Sequence, residues 1–168
     1  MTVEEFFEEL RYEFFTGVPD STLSPICDYL MRHKGLSKEH IIAANEGNCV
    51  GLAAGYYMAT GKVPVIYLQN SGIGNLVNPI ASLLNEKIYR IPCLFLVGWR
   101  GEPGVHDEPQ HLFQGEITHR LLEDLGVHTF TVSKSTTQEM WQAMMAQVDA
   151  LLAARKQAAI VISKGAIT

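Results

Sequence analysis

One carboxylate, Glu46, heads a stretch that carries no other charge. From Cys49 to Ala59 every residue is neutral, and Gly47, Gly51 and Gly55 recur within it. Each glycine weakens a helix by about 1 kcal/mol relative to alanine. A helix that accepts three of them implies close approach of another backbone or of a flat ligand. Asn45 is placed to cap this helix, which puts Glu46 in the first turn, where free N–H groups and the helix dipole favour an anion. Glu46 is therefore either an ordinary first-turn acid on a core helix or a carboxylate presented to something bound at the helix mouth.

Two other stretches carry groups able to do chemistry. Ser71-Gly72-Ile73-Gly74-Asn75 looks like a phosphate-cradling turn, yet it is neither GxGxxG nor GxxxxGK[ST]. An ordinary glycine-permitted tight turn explains it as well. Gln69, Asn70, Ser71 and Asn75 supply neutral donors and acceptors there. The stretch Gly98–His111 reads as a long polar loop with a cation (Arg100), two histidines (His106, His111) and three acids (Glu102, Asp107, Glu108). Loops of that length inside a compact domain usually serve function. Arg100 is suited to grip a phosphonate, sulfonate or carboxylate in a two-pronged fork, or to pair with Glu102 on the surface. His111 is either a proton donor, imidazole being the side chain that titrates near neutrality, or a brace for the loop. His33, His40, His119 and His128 read as helix-end or strand-end residues without metal-ligand spacing. No GxSxG elbow or HExxH helix is present, so nucleophilic and metal-hydrolase chemistry fit poorly.

These groups need elements to position them. Thr2 and Glu5 form a capping box for a first helix through Val3, Phe6, Phe7 and Leu10. Short apolar runs read as strands at Phe14–Phe15, His40–Ala44, Val63–Leu68, Ile91–Val97, Val127–Val132 and Ala159–Ser163. Helices are expected at about Ser21–His33, after Asn45, from Asn75 to about Glu86, near Ile117–Leu125 and near Thr136–Arg155. Alternation of this kind predicts an α/β fold, a parallel sheet covered on both faces, in a single domain spanning residues 1–168. Ligands in such sheets bind beyond the carboxyl ends of the strands, where the candidate stretches lie.

Composition narrows the function. Thirteen basic against eighteen acidic residues give a net charge of −5, and no basic run offers a footprint for a phosphate backbone, which argues against nucleic acid. Cys27, Cys49 and Cys93 are odd in number and widely spaced, so neither a disulfide framework nor a zinc site is indicated. The acidic N-terminus is unlike a signal peptide, and a cytoplasmic setting is expected.

The order GVPDS, NEGNxxGLAAGYxxATGK, QNSGxGN and GWRGEPGxxDEPQH strongly resembles the N-terminal, pyrimidine-binding domain of thiamine-diphosphate-dependent decarboxylases. Within them it is most similar to the phosphonopyruvate decarboxylases, then to the alpha subunits of sulfopyruvate decarboxylases. The resemblance implies an open six-stranded parallel sheet with helices on both faces. It also implies that Glu46 bonds the pyrimidine N1′ of thiamine diphosphate and starts the proton traffic that activates the coenzyme against a 2-oxo acid. Asp20 resembles an acid that assists this traffic. Gln110 and His111 fall where related enzymes handle the intermediate. Asn70, Ser71 and Gly72 resemble the turn beside the pyrimidine ring and substrate, with Asn75 next to them. Arg100 as a clamp for the substrate's anionic tail is inferred from its charge.

Family members complete the site with a second domain that holds Mg2+ and the diphosphate through Gly-Asp-Gly and a later Asn. This chain has no Gly-Asp-Gly. It is therefore expected to be the alpha subunit of a split enzyme, partnered by a diphosphate-binding subunit in an α2β2 heteromer, or else a fragment of a longer polypeptide. Leu76, Val77, Ile80, Leu83 and Leu84, with the small face of the Glu46 helix, are expected to exceed one core's needs and so to be buried by that partner. Phosphonopyruvate is the expected substrate, sulfopyruvate the alternative; a non-catalytic binding module on the same fold is the rival of another class.

Overall fold

A computed structural model describes Met1–Thr168. Six strands form one parallel sheet: β1 (Phe14–Gly17), β2 (His40–Ile42), β3 (Pro64–Gln69), β4 (Cys93–Trp99), β5 (Val127–Val132) and β6 (Gln157–Ser163). Their order is β2-β1-β3-β4-β6-β5. The six main helices are α1 (Val3–Glu9), α2 (Ser24–His33), α3 (Glu46–Thr60), α4 (Ile73–Pro79), α5 (Pro109–Asp124) and α6 (Gln138–Ala153). The expected fold class is the observed one.

Side-chain alternation along the strands builds two cores. Leu94 and Leu96 of β4 join Val65, Tyr67, Ile160 and Ile162 beneath α1, α2 and α6. Phe95 and Val97 join Ile66, Leu68, Ala159 and Val161 beneath α3, α4 and α5. Both faces of the sheet are thus dry, which is why its strands read as unbroken apolar runs. Trp141 of α6 stacks on Phe6 of α1, with centroids 4.7 Å apart, and donates to the Phe6 carbonyl.

Three local expectations are corrected. The Ser71–Asn75 turn is shorter than expected: Asn70–Gly72 makes one 3₁₀ turn that runs directly into α4 at Ile73, with Gly72 at φ −78°, a backbone that does not require glycine. The loop after β4 is shorter than expected, because β4 continues to Trp99 and α5 begins at Pro109, a residue whose missing N–H suits a first helical position. Of the apolar residues assigned to a partner, Leu76, Ile80 and Leu84 lie in this chain's own core and Leu83 packs against it; Val77 alone is exposed. They turn inward because α4 passes into a π-helical turn (Ile80–Leu84) that lies on the sheet. Pro79 at that junction has no N–H to give the Asn75 carbonyl four residues back. No helix is long and apolar enough to cross a membrane.

Candidate active site

The strand order switches sense between β1 and β3: the chain leaves β1 toward β2 on one side and leaves β3 toward β4 on the other. A crevice opens at the carboxyl ends of strands at such a point. Four segments meet around it: Val18–Ser21 after β1, the start of α3 after β2, Asn70–Asn75 after β3, and Arg100–Glu108 after β4.

Asn45 caps α3 as its type and position require. Its backbone is extended, and its side chain accepts from the Asn48 N–H at 3.0 Å. Glu46 thereby occupies the first turn, half-buried, and Asn75 of α4 donates its side-chain amide to Glu46 Oε2 at 2.7 Å. Oε1 has no hydrogen-bond partner in the chain. A Cβ on Gly72 would collide with this carboxylate, so the bare glycine is what lets Glu46 lie where it does. At Gly47 a Cβ would stand 2.9 Å from the Asn75 carbonyl, the group that Pro79 leaves without its helical donor. Close approach of backbone thus explains Gly47. Gly51 and Gly55 meet nothing within 4 Å and form an open strip on α3.

Asn70 is 1% exposed and fully engaged. Its amide donates to the Arg100 carbonyl at 2.8 Å and to Thr118 Oγ1 at 2.9 Å, while its Oδ1 accepts from the Arg100 N–H at 3.1 Å. It therefore ties the end of β3 to the end of β4 and to α5. Ser71 is exposed and accepts from the Gln69 side chain at 2.7 Å.

Arg100 is neither free nor paired with Glu102. Its guanidinium forks onto Asp107, Nε to Oδ2 at 2.8 Å and Nη2 to Oδ1 at 2.6 Å. The same carboxylate accepts from the backbone of Gly101 and Glu108, each at 2.8 Å. The guanidinium first, then these two N–H groups, hold the Asp107 carboxyl well below the usual carboxylate range. Asp107 was visible in the sequence, but seven residues of loop hid that it folds back on Arg100. Thr118 gave no signal at all.

Asp20 caps the 3₁₀ turn Ser21–Leu23, accepting from the Thr22 N–H at 2.8 Å. Its Oδ2 lies 2.6 Å from where a Gly98 Cβ would stand, beside the end of β4. Gln110 and His111 form the first turn of α5; Gln110 is exposed, His111 is half-buried, and neither side chain has a hydrogen-bond partner in the chain. The structure thus brings Glu46, Gly72 and Asn75 into contact, and Asn70 with Arg100. No hydrogen bond or ion pair joins Glu46 to Asp20, Arg100 or His111.

This arrangement suits one flat, polar ring. One oxygen of Glu46 is pinned, the other is unpartnered, and the neighbouring backbone at Gly72 is stripped of side chain. The pyrimidine end of thiamine diphosphate fits that cradle. The chain holds no group of three or more His, Cys, Asp or Glu placed to hold a metal ion.

Residues 2–123 match the family described as thiamine pyrophosphate enzyme, N-terminal TPP binding domain. A phosphonopyruvate decarboxylase of Streptomyces viridochromogenes is 38% identical over 130 residues, covering 77% of this chain and 31% of that protein. The sulfopyruvate decarboxylase subunit alpha of Methanococcus maripaludis is 33% identical over 119 residues, covering 71% of this chain and 68% of that subunit. The chain thus spans about a third of the first relative and two thirds of the second. Among solved structures, benzoylformate decarboxylase from Polynucleobacter necessarius superposes with a TM-score of 0.69 at 15% identity, over 97% of this chain and 30% of that one. At that identity the likeness concerns the fold.

Proposed function

The chain belongs to the thiamine pyrophosphate enzymes, carrying their N-terminal TPP-binding domain and related to phosphonopyruvate and sulfopyruvate decarboxylases, and from that premise we propose that it forms the pyrimidine half of a decarboxylase site acting on 3-phosphonopyruvate, giving phosphonoacetaldehyde and CO2. The observation that carries the reading is the Glu46 carboxylate, held through Oε2 by Asn75 and without a hydrogen-bond partner at Oε1, beside the bare Gly72 backbone. The chemistry supplied by bound thiamine diphosphate is addition to the keto carbon and storage of the electron pair released with CO2.

What this chain contributes is placement and a proton. Glu46 Oε1 would hold a proton against a pyrimidine ring nitrogen bound there, while Asn75 keeps the carboxylate from rotating away. The Asn70 ties fix the distance between the ends of β3 and β4. Asp20, at the cap of the turn after β1, and Gln110 and His111, in the first turn of α5, serve as donors and acceptors for the substrate side. Exposed Ser71 is available to the substrate or ring. Arg100, already forked onto Asp107, orders the loop and offers its remaining N–H groups to the substrate's anionic tail.

Mg2+ and the diphosphate are assigned to a second subunit, in an α2β2 heteromer with the coenzyme between subunits. Support comes from α3, whose open strip at Gly51 and Gly55 is bordered by exposed Leu52 and Met58, and from the relative named as a subunit alpha. That relative also favours the second reading, 3-sulfopyruvate, because this chain covers far more of it than of the phosphonate enzyme.

The test is reconstitution: the chain is mixed with its cognate diphosphate-binding subunit, coenzyme and Mg2+, and CO2 release is followed with each 2-oxo acid. A kcat/KM at least about tenfold higher for 3-phosphonopyruvate is expected, the scale of one discriminating polar contact. Turnover of neither acid by a pair that assembles would overturn the reading.

A further inference from the structure

A second crevice lies across the sheet from the first. β6 sits between β4 and β5. The chain leaves β4 toward α5, which packs on the α3/α4 face, and leaves β5 toward α6, which packs on the opposite face. Departing to opposite faces, the two connections part above the carboxyl end of β6, the geometry in which open α/β sheets hold ligands. A cavity of about 340 Å³ opens there.

Its lining is chemically pointed. Lys134 comes from the β5 connection and Lys164 from the end of β6. The Lys134 stem crosses the chain just past β6, its Cε 3.3 Å from where a Gly165 Cβ would stand. Neither lysine has an ion-pair partner, and neither does Glu102, which also lines the cavity. Ser163 is 5% exposed, and its hydroxyl is buried without a hydrogen-bond partner. A buried hydroxyl left unmatched costs stability unless something supplies the bond. Ser133 and Ser135 share a hydroxyl–hydroxyl bond of 2.9 Å, and the Ser133 N–H donates to Thr136 Oγ1 at 2.9 Å, so this wall is already ordered.

Two ammonium groups and a serine hydroxyl, with no arginine fork, suit a tetrahedral oxyanion better than a planar carboxylate. The cavity lies at the small end of ligand sites, which favours a small anion. Glu102 adds a selective element. A carboxylate repels a fully ionised group but accepts a strong bond from one that retains a hydroxyl. Phosphate and phosphonate keep a P–OH near neutral pH; sulfate does not. We propose that the crevice over β6 binds a phosphate or phosphonate group, held by Lys134, Lys164 and Ser163, with Glu102 accepting its P–OH.

The test is an amide NMR titration of the full chain with inorganic phosphate, methylphosphonate and sulfate, at ionic strength matched with sodium chloride. Saturable shifts are expected at Ser133, Ser135, Ser163 and Lys164, with phosphate or methylphosphonate binding about tenfold tighter than sulfate, as one charge-assisted bond provides. Lys134→Met and Lys164→Met, at exposed positions that leave the spectrum otherwise intact, should each weaken binding about tenfold. Glu102→Gln should erase the preference over sulfate. Tighter binding of methylphosphonate than phosphate would mark an organic phosphonate as the ligand, and the reverse would mark free phosphate. Non-saturating shifts, equal binding of sulfate, or indifference to both lysine variants would each overturn the proposal.

Discussion

The side-chain amide of Asn75 donates to Oε2 of Glu46 at 2.7 Å, across the gap between the first turns of α4 and α3. Held from one side only, the carboxylate has no hydrogen-bond partner at Oε1, the oxygen proposed to meet the ring. Asn75→Ala should therefore lower kcat/KM of the reconstituted enzyme about 10- to 100-fold, the range for a slightly misplaced catalytic group. Because Asn75 is exposed, the melting temperature should hardly change. Steady-state kinetics and calorimetry on one preparation check both parts; a large loss of stability with unchanged kinetics would reassign Asn75 to the fold.

Gly72→Ala tests the same contact from its other side. The added methyl collides with the Glu46 carboxylate. The variant should fold, since Gly72 has an ordinary helical backbone, yet coenzyme affinity should fall by about tenfold or more as Glu46 is pushed aside. Calorimetric titration of the assembled pair with thiamine diphosphate reads this directly.

Asn70 answers to stability. Removing its side chain in Asn70→Ala breaks three hydrogen bonds and takes both side-chain ties from the part-buried Arg100 backbone, while Thr118 keeps its bond to the Gln114 carbonyl at 2.7 Å. A loss of about 2–4 kcal/mol follows, because buried groups left unsatisfied carry their full desolvation cost. For a chain of this size that lowers Tm by roughly 5–15 °C. Thr118→Val, which removes one of the three partners, should cost less.

Stability should also fall as pH drops through the histidine range. His40 is buried, with Nδ1 on the Gly35 carbonyl at 2.8 Å and Nε2 on the Tyr67 hydroxyl at 2.9 Å. A carbonyl only accepts, so Nδ1 carries the proton and Tyr67 donates to Nε2. Burial pushes the imidazole below its ordinary value, and it does the same to His119. With the folded pKa lowered, the unfolded chain binds more protons in the window between the two values. Stability is then complete above about pH 6.5 and is lost as pH falls toward the folded values. Denaturant unfolding from pH 8 to 5 should show this slope, reduced in His40→Gln.

Much of the scaffold was legible because its signals are local. The Thr2/Glu5 capping box is present with both of its bonds, at 3.2 and 2.8 Å. The β5 bounds agree at both ends, and Asn45 caps α3 as its neighbours suggested. What stayed hidden depends on residues distant in sequence or on competing backbone preferences. Gln110 and His111 read as loop because polar side chains masked the first turn of α5. Arg100 was weighed against its near neighbour Glu102, whereas the loop curls to bring Asp107 to it. The glycines of Ser71–Asn75 suggested a tight turn that needs glycine's backbone freedom, but Gly72 is required by the Glu46 carboxylate packed on it rather than by φ.

Proton transfer at Glu46 is the central step proposed for this chain. In the assembled enzyme, hydrogen–deuterium exchange at the thiazolium C2 of bound thiamine diphosphate, quenched in acid and read by NMR, measures that step without substrate. Glu46→Gln should slow the exchange by about 100-fold or more, the contribution of a positioned acid–base group, while the coenzyme stays bound. Exchange at the unaltered rate in a fully loaded Glu46→Gln complex would contradict the proposed step.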